Sequence, residues 1–214
     1  MTPKQKAKLR RKWRRWLKTI GNDLGWLLTS HDIFEEVQKI MKSNKKIQSP
    51  PLFYCWIKDN YSAKVAIGIR RLVEPEKNYK RAISLYRLIE DISKNRQAIT
   101  REGLTERDFD IFAKKGDPLI STYKLNRDMK SLKIKTQRIR TFTNKYIAHY
   151  DLEGRIRRLP TFKDVDEALK VVDTIFCKYY LLLTRYSMTT RKPVLQYNWK
   201  KPLRHAWIVE QKNR

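Results

Sequence analysis

Residues 141–151, TFTNKYIAHYD, bring together side chains that could move a proton or bind a phosphate. The segment contains His149, one of three histidines in a chain that has 49 lysines and arginines. An imidazole titrates near neutral pH, so His149 could act as a general acid or base. Asn144 and Lys145 precede it by about one helical turn, and Asp151 could orient the ring or pair with Lys145.

The position of His149 on a helix allows a second interpretation. At 100° per residue, it falls at the end of an apolar stripe made by Leu132, Ile139, Phe142 and Tyr146. The spacing alone favours a half-sheltered histidine at the edge of the core, satisfied by a hydrogen bond. A catalytic role therefore needs support from the residues around the ring.

The charge of the chain is large and clustered. The formal net charge is +27 at pH 7, and the isoelectric point is about 10.2. Residues 1–18 hold nine basic side chains and no acidic one, residues 124–158 hold eleven against three, and residues 191–214 hold seven against one. Such an excess repels itself unless a polyanion neutralises it, which predicts nucleic acid as the partner. The alternative is a solvated basic surface without a specific ligand. The candidate contacts are Arg10, Arg11, Arg14, Arg15, Lys133, Lys135, Arg138, Arg155, Arg157, Arg158, Lys200, Lys201 and Arg204.

Aromatic residues are interleaved with two of these basic blocks, and they could stack on bases or anchor the termini to the core. Trp16 lies on the apolar stripe of the first predicted helix, which favours an anchor. For Trp199 and Trp207 both interpretations stay open.

The hydrophobic periodicity predicts helices throughout the chain. Apolar residues recur at steps of three and four over residues 4–43, with a basic helix over 4–28 and a possible second start capped by Thr29 or Ser30. Further helices are predicted at 52–73, 81–99, 105–115, 122–149 and 161–186. We therefore predict an all-α bundle of five to six helices over residues 1–188, followed by an irregular basic and aromatic tail at 189–214.

Several other classes of site and location are disfavoured. Cys55 and Cys177 are too few and too isolated for a disulfide framework or a zinc site. The acidic residues of the last helix are predicted to form a capped, solvated face, so no metal or other cofactor is expected; they are Asp164, Asp166, Glu167 and Asp173. The sequence shows no membrane-length apolar run and no secretory signal, which predicts a cytoplasmic protein.

The order of segments resembles a known family. TNKYIAHYD is similar to the signature of the HEPN superfamily (higher eukaryotes and prokaryotes nucleotide-binding), in its abortive-infection, AbiU-like branch. The segments KVAIGIRRLVE at 64–74, RAISLYRLIEDI at 81–92 and DVDEALKVVDTIF at 164–176 fit the order and character of that branch. The resemblance covers residues 20–186. It implies a helical bundle that dimerises, with two motifs across a cleft, and in active members a metal-independent RNA cleavage by arginine and histidine.

The motif departs from the family at one point. The family's arginine lies five to seven residues before the histidine, where this chain has Asn144, Thr143 and Phe142. Aligning N-K-x-x-A-H places Thr143 at the arginine's position. Arg140 or Lys145 could then hold the phosphate.

Three functions follow from these observations. The first is a catalytically silent HEPN module that binds RNA or DNA, as a homodimer or as a subunit of a nucleoprotein complex. The second is an RNA-cleaving toxin with an antitoxin partner, in which His149 is the acid or base and Asn144 orients the substrate. The third is an interaction protein whose charge fits an acidic protein. The missing arginine favours the first over the second, and the net charge favours both over the third.

Overall fold

The computed structural model describes residues 1–47, 49, 51–75, 82–102, 104–147 and 158–205. Within these residues the fold is all-helical, as the periodicity predicts, and contains no β-strand. The α-helices are α1 Pro3–Ser43, α2 Leu52–Leu72, α3 Leu85–Lys94, α4 Glu106–Asp110, α5 Thr122–Phe142 and α6 Phe162–Thr184. A π turn over Thr143–Ile147 continues α5, and short 3-10 turns occur at Lys45–Ile47, Arg96–Ala98 and Lys201–Arg204.

The first helix is continuous through residue 43, so the second start at Thr29 or Ser30 was wrong. Neither side chain caps a helix. The Thr29 hydroxyl donates to the Gly25 carbonyl at 2.9 Å, and the Ser30 hydroxyl donates to the Trp26 carbonyl at 2.7 Å. A hydroxyl that bonds to the carbonyl four residues back stays within the helix, which is a common alternative to capping.

The core lies where α1, α2, α5 and α6 pack together, with α3 closing one side against α1 and α5. Its largest fully buried side chains include Trp13, Ile20, Leu24, Phe109, Phe112, Phe176 and Tyr179. The helices α1 and α2 approach closely at Gly68, where an added Cβ would lie 2.4 Å from Cδ2 of Leu27. A side chain at position 68 would force Leu27, or the helix that carries it, to move.

Two helices are shorter than the periodicity predicts. Ser84 caps α3 by accepting from the Arg87 amide at 3.0 Å, so that helix begins after residue 84. The fourth helix ends at Asp110 because the chain then turns back, through Gly116 at a positive φ of 82°, to start α5. The turn is held by the Ser121 amide, which donates to the Phe112 carbonyl at 2.8 Å.

The last helix begins as predicted. The side chains of Thr161 and Asp164 form a reciprocal capping box at its N-terminus. Among the described residues, no helix combines the length and the apolar character needed to cross a lipid bilayer.

Candidate nucleic-acid interface and motif region

The end of α5 carries the motif residues that the structure describes. The helix changes there to a π turn, Thr143–Ile147, a feature that is frequent at functional sites. Thr143 is fully buried, whereas Asn144 is exposed and Lys145 is half-buried. His149 lies outside the described residues, as do Asp151, Arg155, Arg157 and Trp207.

Arg140 lies one turn before Asn144. Its Nε atom is buried and has no hydrogen-bond partner within the described part of the chain. Burial raises the pKa of the Tyr86 phenol of α3, and the nearby guanidinium of Arg140 offsets part of that rise. Arg140 therefore brings a cation with unused donor capacity to the side of α5 that faces α3.

The apolar stripe that precedes His149 is covered mainly from within the chain. Leu132 and Ile139 are buried in the core, and Phe142 is partly buried against it. Tyr146 stacks on Phe142, with ring centroids 5.7 Å apart, and remains 45% exposed. The stripe thus does not by itself require a partner chain.

The first half of α1 presents the strongest concentration of basic side chains. Lys8, Arg11, Lys12 and Arg15 line one groove together with Lys94 at the end of α3. This N-terminal groove has a volume of about 1050 Å³. Lys12 pairs with Asp91 at 3.0 Å, but Lys8, Arg11 and Arg15 have no carboxylate partner among the described residues. Three cations are therefore available to an external anion.

Two arginines of the same block have structural contacts. Arg10 donates to the Ala98 carbonyl at 3.1 Å, and Arg14 donates through Nε to the Leu183 carbonyl at 2.8 Å. Arg14 still lines a second cavity of about 390 Å³, between α1 and the end of α6, with Lys18 and Arg191.

The tryptophans of α1 anchor that helix. Trp13 is fully buried and donates to the Asp91 carboxylate, while Trp16 is 8% exposed with the Lys12 ammonium 4.6 Å from its ring centroid. The interpretation of Trp16 as an anchor is confirmed, and the same burial excludes it as a platform for base stacking.

The middle basic block is partly neutralised by α6. Lys135 pairs with Glu167 at 3.0 Å, and Arg138 pairs with Asp164 at 2.7 Å. The Lys135 ammonium lowers the pKa of Glu167. Lys133 is exposed and has no carboxylate partner among the described residues, and Arg158 is also exposed.

The C-terminal segment runs along α1 and is held by a hydrogen bond and an ion pair. The Arg191 amide donates to Asp173 at 2.8 Å, and Lys200 bonds to Glu36 at 2.6 Å. The bond from Lys200 is the main reason that the pKa of Glu36 falls to about 2. Lys201 and Arg204 are exposed.

Three aromatic rings from α1 and this segment line a shared cleft. Trp26 and Tyr197 are 70% and 71% exposed, and Trp199 is half-buried beside them. The cleft has a volume of about 380 Å³ and also contains Arg191. Exposed rings next to an arginine are suited to stacking on nucleic-acid bases.

A cluster of ionisable groups that the sequence did not predict lies between α1 and α6. His31 Nε2 is 3.2 Å from Asp166 Oδ1 and 3.8 Å from Glu35 Oε1, while Nδ1 is 2.6 Å from the Tyr61 hydroxyl. Asp166 was predicted to lie on a solvated helix face, and its side chain is 49% exposed; its approach to His31 was not predicted. The available signal was the pair His31 and Glu35, four residues apart and therefore on one face of a helix.

The fold and motif define an all-helical protein with the HEPN pattern of segments. A family model for HEPN_AbiU2, described as AbiU2, matches residues 10–198. The chain belongs to this family, whose HEPN domain suggests a nucleic-acid-related abortive-infection protein. No match was found among curated proteins or among solved structures.

Proposed function

We propose that this protein binds RNA through its basic surfaces, as a HEPN module of a prokaryotic anti-phage or mobile-element system. The observation that carries the proposal is the N-terminal groove, where three exposed cations lack a carboxylate partner in the described residues. Five other candidate cations are instead bound to carboxylates or carbonyls of the chain itself: Arg10, Arg14, Lys135, Arg138 and Lys200.

The spacing of the groove residues supports phosphate binding. Lys8, Arg11, Lys12 and Arg15 follow steps of three, one and three residues, so they form one stripe along α1. Seven residues of helix span about 10 Å, which lets the stripe contact more than one phosphate. Binding releases the counterions of those phosphates, which provides affinity without requiring a particular sequence.

The aromatic cleft supplies the second part of an interface for single strands. Bases stack on aromatic rings with little sequence preference, and each stacked base contributes about 1–3 kcal/mol. Trp26 and Tyr197 are exposed enough to accept a base, and Arg191 places positive charge in the same cleft. This combination favours RNA with unpaired bases over a regular duplex.

A catalytic function is the alternative, and Arg140 is the observation that favours it. Arg140 is half-buried and its Nε atom has no partner among the described residues, so the guanidinium is not fully used within the fold and could donate to a phosphate oxygen through its terminal nitrogens. With Asn144 exposed on the π turn and His149 five residues beyond Asn144, the segment would supply an orienting group and an acid or base. The reaction would be metal-independent RNA cleavage, with an antitoxin as the natural partner.

A homodimer belongs to the proposal because the family resemblance implies two motifs facing each other. Ile134 and Tyr146, which are 57% and 45% exposed on α5 and the π turn, would lie in that contact. Light scattering at low micromolar concentration should give about twice the chain mass of 25.8 kDa. A mass of one chain, with no partner present, would contradict the homodimer.

The binding proposal is tested with two triple variants of equal charge change. Lys8→Gln/Arg11→Gln/Arg15→Gln removes the three available cations of the groove. Arg107→Gln/Lys114→Gln/Lys115→Gln removes three exposed cations outside the predicted blocks. Fluorescence anisotropy with a single-stranded RNA should show at least a tenfold loss for the groove variant only. Equal losses of RNA affinity in the two variants would show that net charge alone causes the effect, and would reject the groove as the RNA-binding site.

A further inference from the structure

We propose that His31, Glu35 and Asp166 form a binding site for a divalent transition metal of the Zn²⁺ class, which links α1 to α6. The three side chains offer one nitrogen and two carboxylate oxygens, and these ligand atoms all lie within 4.8 Å of one another. Two come from one helix at positions i and i+4, and the third comes from the facing helix.

The distances fit a metal after small side-chain rotations. In a tetrahedral site with metal–ligand bonds of about 2.0–2.1 Å, neighbouring ligand atoms lie about 3.3 Å apart. The Nε2 atom of His31 is 3.2 Å from Asp166 Oδ1 and 3.8 Å from Glu35 Oε1. The three ligand atoms lie within 4.8 Å of one another, and Glu35, whose side chain is 51% exposed, has to move closer by a side-chain rotation.

The hydrogen bond on the far side of the ring supports the same assignment. A histidine ligand usually has its second nitrogen held by a fixed partner, which sets the tautomer and the ring orientation. Here the Tyr61 hydroxyl lies 2.6 Å from Nδ1 of His31. With a metal on Nε2, Nδ1 carries the proton and donates to the Tyr61 oxygen. The Tyr61 ring is itself fixed by stacking on Phe34, with ring centroids 3.8 Å apart.

The two carboxylates of the cluster are paired differently from the acidic residues beside them. In a protein with a net charge of +27, Glu35 and Asp166 make no ion pair with lysine or arginine among the described residues. The neighbouring carboxylates do: Glu36 binds Lys39 and Lys200, Asp164 binds Arg138, and Glu167 binds Lys135. A divalent cation would neutralise these two carboxylates, with a neutral imidazole as the third ligand.

The ligand set selects the kind of metal. One imidazole and two carboxylates suit Zn²⁺ and, with lower affinity, Mn²⁺. Mg²⁺ prefers oxygen ligands in an octahedral arrangement and should not compete. Glu35 and Asp166 are half exposed, at 51% and 49% of their side chains, so water can complete the coordination. The expected role is to hold α1 against α6.

The experiment measures Zn²⁺ binding to the untagged, chelator-treated protein by isothermal titration calorimetry. Wild type should bind one ion, and MgCl₂ should give no comparable signal. Glu35→Gln and Asp166→Asn should each weaken binding at least tenfold, and Tyr61→Phe should weaken it about tenfold. The matched controls Glu36→Gln and Glu167→Gln remove a neighbouring carboxylate and should leave the affinity unchanged.

Two further readouts separate this site from other metal binding. His31→Ala should abolish stoichiometric metal binding, whereas His149→Ala should retain it. Metal binding is measured without RNA, so a failure of the proposed RNA function would not affect this result. Zn²⁺ should also raise the Tm of wild type but not that of Glu35→Gln. No stoichiometric binding, or binding that Glu35→Gln and Asp166→Asn leave intact, would show that the cluster is only an ion pair of His31 with carboxylates.

Discussion

The Thr143 hydroxyl donates to the carbonyl oxygen of Ile139 at 2.8 Å, and the Thr143 side chain is fully buried. The alignment of the motif places Thr143 where the family has arginine. Because this position is buried, the guanidinium of an arginine placed there would have no access to solvent. Asn144, the next residue, is exposed on the π turn and lies five residues before His149, within the family's spacing.

This relationship gives opposite expectations for two arginine substitutions. Thr143→Arg should destabilise the fold by roughly 3 kcal/mol or more, because it buries a charge without a partner. Asn144→Arg should leave the Tm near that of wild type and, if the site is competent, raise RNA cleavage. Thermal unfolding and cleavage of mixed RNA measure both. A stable Thr143→Arg protein that cleaves faster than wild type would refute this account of the π turn.

Cleavage, if wild type shows it, should not need a divalent metal. His149→Ala should then reduce the cleavage rate by about 10²-fold or more, as expected for an acid or base. Asn144→Ala should reduce the cleavage rate by a smaller factor. The assay uses purified protein with mixed RNA, with and without chelator. His205→Ala, at an exposed position of the tail, is the histidine control. Activity that a chelator removes and His149→Ala retains would reject the histidine mechanism.

The contacts around Gly68 and Gly25 predict opposite effects of substituting each by alanine. Gly68→Ala should destabilise the protein by about 1–3 kcal/mol, because the new methyl group would overlap Leu27 at 2.4 Å. At Gly25 the nearest atom to an added Cβ is the Arg191 carbonyl oxygen at 3.5 Å, an ordinary contact. Gly25→Ala should therefore gain up to about 1 kcal/mol of helix propensity. Chemical denaturation compares the two, and a Gly68→Ala protein as stable as Gly25→Ala would contradict this packing.

The start of α6 should contribute stability that depends on pH. The hydrogen bond that the Thr161 backbone amide donates to the Asp164 carboxylate is the main reason that the pKa of Asp164 falls to about 2 in the folded protein. The Arg138 guanidinium lowers this pKa further. The folded state therefore binds the proton less readily than the unfolded state. The contribution is complete above about pH 4 and is lost as the pH falls towards 2.

The variant Asp164→Asn should make this contribution visible. At pH 7 it should lower the free energy of unfolding by about 0.3–1 kcal/mol, since it removes a negative charge from a helix N-terminus. The difference from wild type should shrink between about pH 4 and pH 2. Asp59→Asn, at an exposed position of α2, controls for the loss of a surface charge. A difference that stays constant down to pH 2 would disprove the assigned cause.

The helical class and most helix positions could be predicted because apolar periodicity records which face of each segment is buried. The capping box of Thr161 and Asp164 could also be predicted, because it depends only on two residue types three positions apart in the sequence. The continuity of α1 could not, since Thr29 and Ser30 can either cap a helix or bond within it, and packing against α2 and α6 decides between the two.

Parts of the candidate sites depend on contacts between distant segments, which local patterns do not contain. Lys135 and Arg138 looked available for phosphate, but α6 brings Glu167 and Asp164 to them. The approach of Asp166 to His31 is equally a product of the tertiary fold. The burial of Thr143 follows from the rotation of α5 against the core, which the motif alone does not specify.

The central claim is that phosphates of RNA are bound by the available cations of the N-terminal groove. Its most direct test is the salt dependence of the affinity for a single-stranded RNA. Wild type should give a log–log slope of several units, because each neutralised phosphate releases counterions. Lys8→Gln/Arg11→Gln/Arg15→Gln should lower that slope by about two units. A flat dependence for wild type, or a slope that the groove variant leaves unchanged, would contradict the claim.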